Sequence, residues 1–186
     1  GLGDVYKRQD ILCMAKGLTS GYLPLGGIMV SEAIANHFND HPLVLGLTYS
    51  AHAVCCAAAL ENLKIIEELN LVEQAAEKGR YIEAQVEQLK EKHPSIGDFR
   101  NTGLLGCIEL VKNRSTKAPI TPWNAKGEDL HITHKIAAKI RELGMFTFVR
   151  WNWIFIAPPL TASYEEIDEG LAIISQAIAI ADQHYQ

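Results

Sequence analysis

The sequence predicts an α/β fold. Stretches with a 3.6-residue apolar period alternate with short apolar runs of strand length. The links between the later runs, Asn101-Thr102-Gly103 and Trp151-Asn152, are short and hairpin-like. Such links favour a largely antiparallel sheet covered by helices on one face. The first third carries a loop punctuated by Gly17, Gly21, Pro24, Gly26 and Gly27, which can continue neither a strand nor a helix.

Ile11 to Ala15 reads as a short buried strand entering that loop, and Ile28-Met29-Val30 as a second strand leaving it. Ser31 is placed to cap a brief helix from about Glu32 to Phe38. Leu43 to Ser50 has little periodicity and reads as a loop. From His52 to about Leu69 the chain is helical. Its first half is nearly all small (Ala53, Cys55, Cys56, Ala57, Ala58, Ala59), which predicts close packing and burial, and its second half is amphipathic. Val72, Ala75, Ala76, Gly79, Ile82, Val86 and Leu89 space a second long helix, stopped by His93-Pro94. Residues 96–100 and 104–111 read as a hairpin, and residues 113–126 as a polar loop. Ile132, Ile136, Ile140 and Leu143 mark a third helix, ended at Gly144. Phe146 to Arg150 and Trp153 to Ile156 are the last strands. Ser163-Tyr164-Glu165-Glu166 is a capping box opening the final helix, whose buried face is Ile167, Leu171, Ile174, Ile178 and Ala181.

Composition bounds the function. The 186 residues are 48% apolar and 21% charged, enough to bury a core. A net charge of −5 with mixed signs leaves no nucleic-acid footprint. No apolar stretch reaches the roughly 18 residues a membrane span needs. The first residues hold no basic segment followed by an apolar core. Cys13, Cys55, Cys56 and Cys107 sit in apolar or Ala-rich surroundings without a C-x-x-C pair. They read as small hydrophobes in a reducing, cytoplasmic setting, and no metal site is expected.

One residue in the loop carries chemistry. Lys16 stands at the exit of the first strand. A lysine there loses solvation, and a neutral amine so placed can add to a carbonyl. The glycines around it leave room for a flat ligand. The alternative is a solvated lysine beside a loop that only turns the chain.

Four landmarks decide between these. Asp10 to Gly27, with Lys16 at its centre, resembles the cofactor-lysine signature of the class III (omega-type) aminotransferases, pyridoxal-phosphate enzymes of fold type I. Leu47 to Leu60 is similar to that family's Thr-(Tyr/Phe)-x-Gly-(His/Asn)-Pro segment and the Ala-rich helix after it. Ala51 and Ala53 replace its common Gly and Pro. Gly103 to Leu110 resembles its small-domain hairpin, and Ala157-Pro158-Pro159-Leu160 its turn before the last helix. All four stand in family order at family-like spacing.

The resemblance implies the C-terminal part of such an enzyme: residues 10–60 as the end of the large cofactor-binding domain, and residues 61–186 as an α/β small domain. Residues 1–9 do not resemble the family's approach to the strand and are expected to be foreign to it. Lys16 would be the Schiff-base lysine for pyridoxal 5'-phosphate. Thr48 would bind the cofactor phosphate of the neighbouring subunit in a homodimer, against the alternative of a local side-chain turn. Arg150 would grip a substrate carboxylate, against the alternative of a surface arginine at a strand end. Tyr22 and Trp151 would line the substrate site, although strand aromatics also build cores. The implied reaction moves an amino group from an amine or ω-amino acid to a 2-oxo acid such as pyruvate or 2-oxoglutarate. A racemase or aminomutase on the same scaffold, or a non-catalytic dimerisation piece, are the other readings. The family's residues that contact the pyridine nitrogen, stack on the ring and form the phosphate loop precede the lysine. The 186 residues alone are therefore expected to turn over little.

Overall fold

The computed structural model describes residues 9–186; eight of the nine residues expected to be foreign lie outside the described residues. The chain divides into two compact units between Asn70 and Leu71.

In the first unit β1 (Ile11–Met14) and β2 (Gly27–Val30) pair antiparallel, with Ile11 opposite Val30 and Met14 opposite Gly27. This register gathers both ends of the glycine-rich loop. The first strand is not buried as expected: Ile11, Leu12, Ile28, Met29 and Val30 are all exposed. A two-stranded ribbon has no second layer of its own to cover its apolar side chains. Helix α1 (Glu32–Asp40) follows. Ser31 holds its N-cap position through its carbonyl, which accepts from Ile34 and Ala35 N–H, while its hydroxyl makes no capping bond.

Helix α2 (Ala53–Glu68) is less buried in its N-terminal half than its small residues predict. Only Cys55 and Ala59 are buried, while Ala53, Val54 and Ala57 are exposed. The covered stripe runs Cys55, Ala59, Asn62, Ile66, a helical i, i+4, i+7, i+11 spacing. Helix α2 packs against the turn after β1 through this stripe, and Asn70, with a left-handed φ of 51°, stands past its end.

The second unit runs α3 (Leu71–Lys92), β3 (Ile96–Thr102), β4 (Leu105–Asn113), β5 (Ala118–Pro119), α4 (His131–Glu142), β6 (Val149–Arg150), β7 (Trp153–Ile156) and α5 (Tyr164–Asp182). The sheet order is β3-β4-β7-β6 with β5 beside β4, and every pair is antiparallel. The polar stretch expected to be all loop thus contributes β5, because Val111 and Asn113 find partners in Pro119 and Ala118. The predicted strand from Phe146 is cut to two residues. There the Thr147 hydroxyl donates to the Phe155 carbonyl, while Phe155 N–H donates to the Phe148 carbonyl at 3.0 Å.

One sheet face (Ile96, Ile108, Leu110, Ile154, Ile156) meets Ile82 and Val86 of α3, Ile132, Ile136 and Ile140 of α4, and Ile167, Leu171, Ile174 and Ile178 of α5. Each fully buried aliphatic chain stabilises the fold by about 1.5–3 kcal/mol before entropy is counted. The other face is wet, with Arg100 3.2 Å from Asp98 and 3.1 Å from Glu109. Between them in sequence, Cys107 is half-buried; burial pushes its thiol up, against the pull of Arg100. Cys55 is buried, but Cys13 is exposed, contrary to the reading of all four cysteines as packed hydrophobes; all four are unpaired. The capping box forms as predicted: Glu166 N–H donates to Ser163 Oγ at 3.1 Å, and Ser163 N–H to Glu166 Oε2 at 2.8 Å.

A polar clasp ties the ends of three elements. Past α3, the His93 ring lies 2.6 Å from Asp182 Oδ2 and 2.7 Å from Ser175 Oγ, both on α5. Asp182 Oδ1 also accepts from Ser95 Oγ at 2.6 Å and Ser95 N–H at 3.2 Å. Asp182→Ala strips buried Ser95 and His93 of their acceptor. The expected cost is about 2–4 kcal/mol, read as a lower denaturation midpoint, with Asp182→Asn losing less because its carbonyl still accepts.

Candidate active site

The lysine loop is built by local strain held in place from outside. Ala15 is extended, with φ −161°. Lys16 then turns left-handed at φ 52° and opens a single 3-10 turn, Lys16–Thr19, closed by Ser20 at φ 48°. Left-handed backbone on a residue other than glycine costs of order 1–3 kcal/mol and persists only where the surroundings enforce it. The bonds that bracket the turn are long: Leu18 N–H to Ala15 O is 3.3 Å and Ser20 N–H to Gly17 O is 3.4 Å. Stronger support comes from α2. Asn62 Nδ2 donates to Gly17 O at 2.9 Å and to Leu18 O at 3.2 Å, and Ser20 Oγ donates to Asn62 Oδ1 at 2.6 Å. Thr19, the one buried residue of the turn, donates its hydroxyl to the Leu23 carbonyl.

Lys16 itself is exposed, so the desolvation expected at a buried strand exit is not present. Its amine is accessible, and a Cβ built at Gly17 or Gly21 would meet nothing within 4 Å. Tyr22 follows, 85% exposed. Open space around a reachable amine is what a flat carbonyl-bearing cofactor such as pyridoxal phosphate requires.

Thr48 belongs to the same unit, in an exposed turn ahead of α2. The turn is closed by its backbone, Ser50 N–H to Leu47 O at 3.0 Å, which leaves the Thr48 hydroxyl out of the closure. Ala51 has φ 52°. A glycine, common at that position in class III aminotransferases, adopts this conformation without steric cost. An exposed hydroxyl ahead of a helix start fits an anionic group such as a phosphate.

Arg150 and Trp151 lie in the second unit, in the hairpin joining β6 to β7. Trp151 has φ 51°, as the first residue of a two-residue turn needs. The turn is anchored below: buried Thr133 donates to the Trp151 carbonyl at 2.7 Å, and buried Asn152 donates to the Leu110 carbonyl at 3.2 Å. The Arg150 guanidinium carbon sits 4.0 Å from the Trp151 ring centroid. Stacking occupies the face of the guanidinium and leaves its in-plane N–H donors directed outward. Trp153 and Trp123 extend the aromatic group, with centroids 5.2 and 5.8 Å from Trp151. Trp123, 70% exposed, was not singled out by sequence because it falls in a polar loop. Asn62 was missed too; its signal is a polar residue in register with an otherwise small and apolar helix stripe.

Among the described residues, no three His, Cys, Asp or Glu side chains are placed to hold a metal, and no helix is long and apolar enough to cross a membrane.

Comparison with known proteins agrees with the landmarks. Residues 5–178 match the model of the family "Aminotransferase class-III". An adenosylmethionine-8-amino-7-oxononanoate aminotransferase of Methanocaldococcus jannaschii is 34% identical over 181 residues, 95% of this chain and 38% of that protein. A putrescine–pyruvate aminotransferase of Pseudomonas aeruginosa is 32% identical, covering 91% of this chain and 36% of that one. Among solved structures, an S-selective transaminase from Arthrobacter sp. superposes with a TM-score of 0.86 at 34% identity, over 97% of this chain and 40% of that one. Taurine:2-oxoglutarate aminotransferase from Bifidobacterium kashiwanohense, in complex with PLP and glutamate, superposes with a TM-score of 0.84 at 34% identity, over 95% of this chain and 39% of that one. The chain thus spans about 38% of the length of the first of these relatives. With a family match over nearly all its residues, and the α/β architecture of fold-type I transaminases around the lysine loop, this chain belongs to the class III aminotransferases.

Proposed function

We propose that the full-length protein transfers an amino group from a primary amine or ω-amino acid to a 2-oxo acid such as pyruvate or 2-oxoglutarate, with pyridoxal phosphate as cofactor. The observation that carries this reading is Lys16: a reachable amine on a left-handed residue, at a strand exit, in a loop open at Gly17 and Gly21. Relatives whose names include putrescine–pyruvate and taurine:2-oxoglutarate aminotransferases support the reaction class.

When bound, the cofactor supplies the carbonyl that captures the amine and the electron sink for its α-carbon. Lys16 would hold that cofactor through Nζ, and the same amine, once free, would carry the proton at the reacting carbon. Thr48 donates its hydroxyl to the phosphate, serving the neighbouring subunit of a homodimer. Arg150 presents its in-plane donors to the substrate carboxylate, with Trp151 fixing the plane. The family resemblance assigns Tyr22 and Trp151 each to substrate contact. The remaining cofactor contacts are assigned to the rest of the full-length enzyme, so the 186 residues alone turn over little. The four unpaired cysteines accord with a cytoplasmic setting.

The test is amino-acid formation by the full-length protein from a 2-oxo acid and a panel of amines. Strict dependence on the 2-oxo acid supports transamination. Turnover without it selects the racemase or aminomutase reading instead. Within that assay, Arg150→Ala is expected to raise KM about 10- to 100-fold for an ω-amino acid, the worth of a charged hydrogen-bonded pair. Measured at saturating 2-oxo acid, it should leave KM for a carboxylate-free amine unchanged. An equal rise in donor KM for both, at saturating 2-oxo acid, would remove Arg150 from the carboxylate site.

A further inference from the structure

We propose that Asn62 is the positioning residue of the lysine loop, setting the direction in which Lys16 presents its amine to the cofactor. The inference rests on the reading of Lys16 given above and deepens it.

Three facts converge on this one side chain. First, the loop is strained at both ends, with left-handed φ at Lys16 and Ser20, and the two bonds that bracket its turn are long, at 3.3 and 3.4 Å. Second, a single amide, 42 to 45 residues away in sequence, reaches three of the four residues that follow Lys16: the carbonyls of Gly17 and Leu18 and the hydroxyl of Ser20. An amide offers two N–H donors and an oxygen, and each here has a partner. The orientation is unambiguous because only the N–H side can face two carbonyls. Third, Asn62 occupies the covered stripe of α2 between Ala59 and Ile66. A carboxylate there would turn an oxygen toward two carbonyl oxygens. An aliphatic chain would leave both carbonyls without this partner.

The consequence for Lys16 is mechanical. Its Cα–Cβ direction is set by a φ that the side chain does not favour. Releasing Gly17 and Leu18 lets the turn relax and the amine swing away. Misplacing a reacting group by about 1 Å can cost on the order of 100-fold in rate.

Cofactor attachment condenses Nζ of Lys16 with the cofactor aldehyde carbon and expels one water. Borohydride then delivers hydride to that carbon, and the resulting C–N single bond is stable. The experiment uses the full-length protein stripped of cofactor. Pyridoxal phosphate is added, samples are quenched with borohydride over time, and modification of the Lys16 peptide is followed by mass spectrometry in wild type, Asn62→Ala, Asn62→Asp and Ser20→Ala. Both Asn62 variants are expected to attach cofactor about 10- to 100-fold more slowly, yet to the same final extent. Ser20→Ala, which leaves the amide's donors in place, is expected to show a smaller slowing. Asn62→Ala reacting at the wild-type rate overturns the proposal, even if Asn62→Asp is slow, because the effect would then belong to the added charge. A reduced extent at the wild-type rate also overturns it, since that is loss of folded protein. If wild type is modified at another lysine, the reading of Lys16 fails and this inference falls with it. Modification at Lys16 with indifferent Asn62 variants sinks the inference alone.

Discussion

Replacing Lys16 by alanine in the full-length protein is expected to abolish transamination, with a fall in kcat/KM of at least about 10⁴-fold. Two roles disappear together. On the proposed reading, the amine that attaches the cofactor is lost, and so is the group that moves the proton. Among the described residues, the next lysine along the chain is Lys64, on α2. Lys16→Arg should fare no better, since a guanidinium stays protonated and is not a nucleophile. Steady-state rates with excess cofactor, beside circular dichroism to establish folding, check this. Retention of more than about a tenth of wild-type activity by a folded Lys16→Ala protein would remove the lysine from the chemistry.

The second large effect is on stability, at Gly79. This residue lies in the middle of α3, where the helix backs directly onto the β3–β4 turn. A Cβ added to Gly79 would stand 2.5 Å from the Gly103 carbonyl oxygen and 2.7 Å from its Cα. These are backbone atoms, so no side chain can swing aside. Asn101 Nδ2 also bridges the two, at 2.9 Å from Gly79 O and 3.0 Å from Gly103 O, and separating them breaks that bridge. Gly79→Ala is therefore expected to cost about 3 kcal/mol or more despite the better helix propensity of alanine, and Gly79→Val more still. Gly170 in α5 is the control of opposite sign. A Cβ there would sit 3.5 Å from the Met145 sulfur, an ordinary contact, so Gly170→Ala should stabilise by up to about 1 kcal/mol. Denaturation midpoints of the two variants should move in opposite directions. A Gly79→Ala protein as stable as wild type would contradict the close approach of α3 and the hairpin.

Much of this was legible in the sequence where periodicity and caps speak locally. The long helix after Asn70, the hairpin about Gly103, the Trp151-Asn152 turn and the Ser163 capping box all follow from short-range chemistry, and all form. What depended on long-range partners was not legible. β1 is a strand, but its burial needs a layer that a two-stranded ribbon does not supply. β5 exists only because Val111 and Asn113 offer it an edge. Cys13 is apolar by neighbourhood and exposed by topology.

The site divides along the same line. Lys16, Thr48 and Arg150 stand out as reactive or anion-binding residue types beside recognisable landmarks. The left-handed backbone of Lys16 and its support by Asn62 arise from a contact across more than 40 residues, which no local pattern encodes. Trp123 is similar: a lone aromatic in a polar loop acquires meaning only when the fold sets it 5.8 Å from Trp151.

The most direct measurement is peptide mapping of the full-length protein after incubation with pyridoxal phosphate and reduction with borohydride. The account predicts one reduced cofactor per chain, on the peptide containing Lys16, and its absence from Lys16→Ala. A cofactor fixed on a different lysine, or none fixed in a folded wild-type protein, would contradict it.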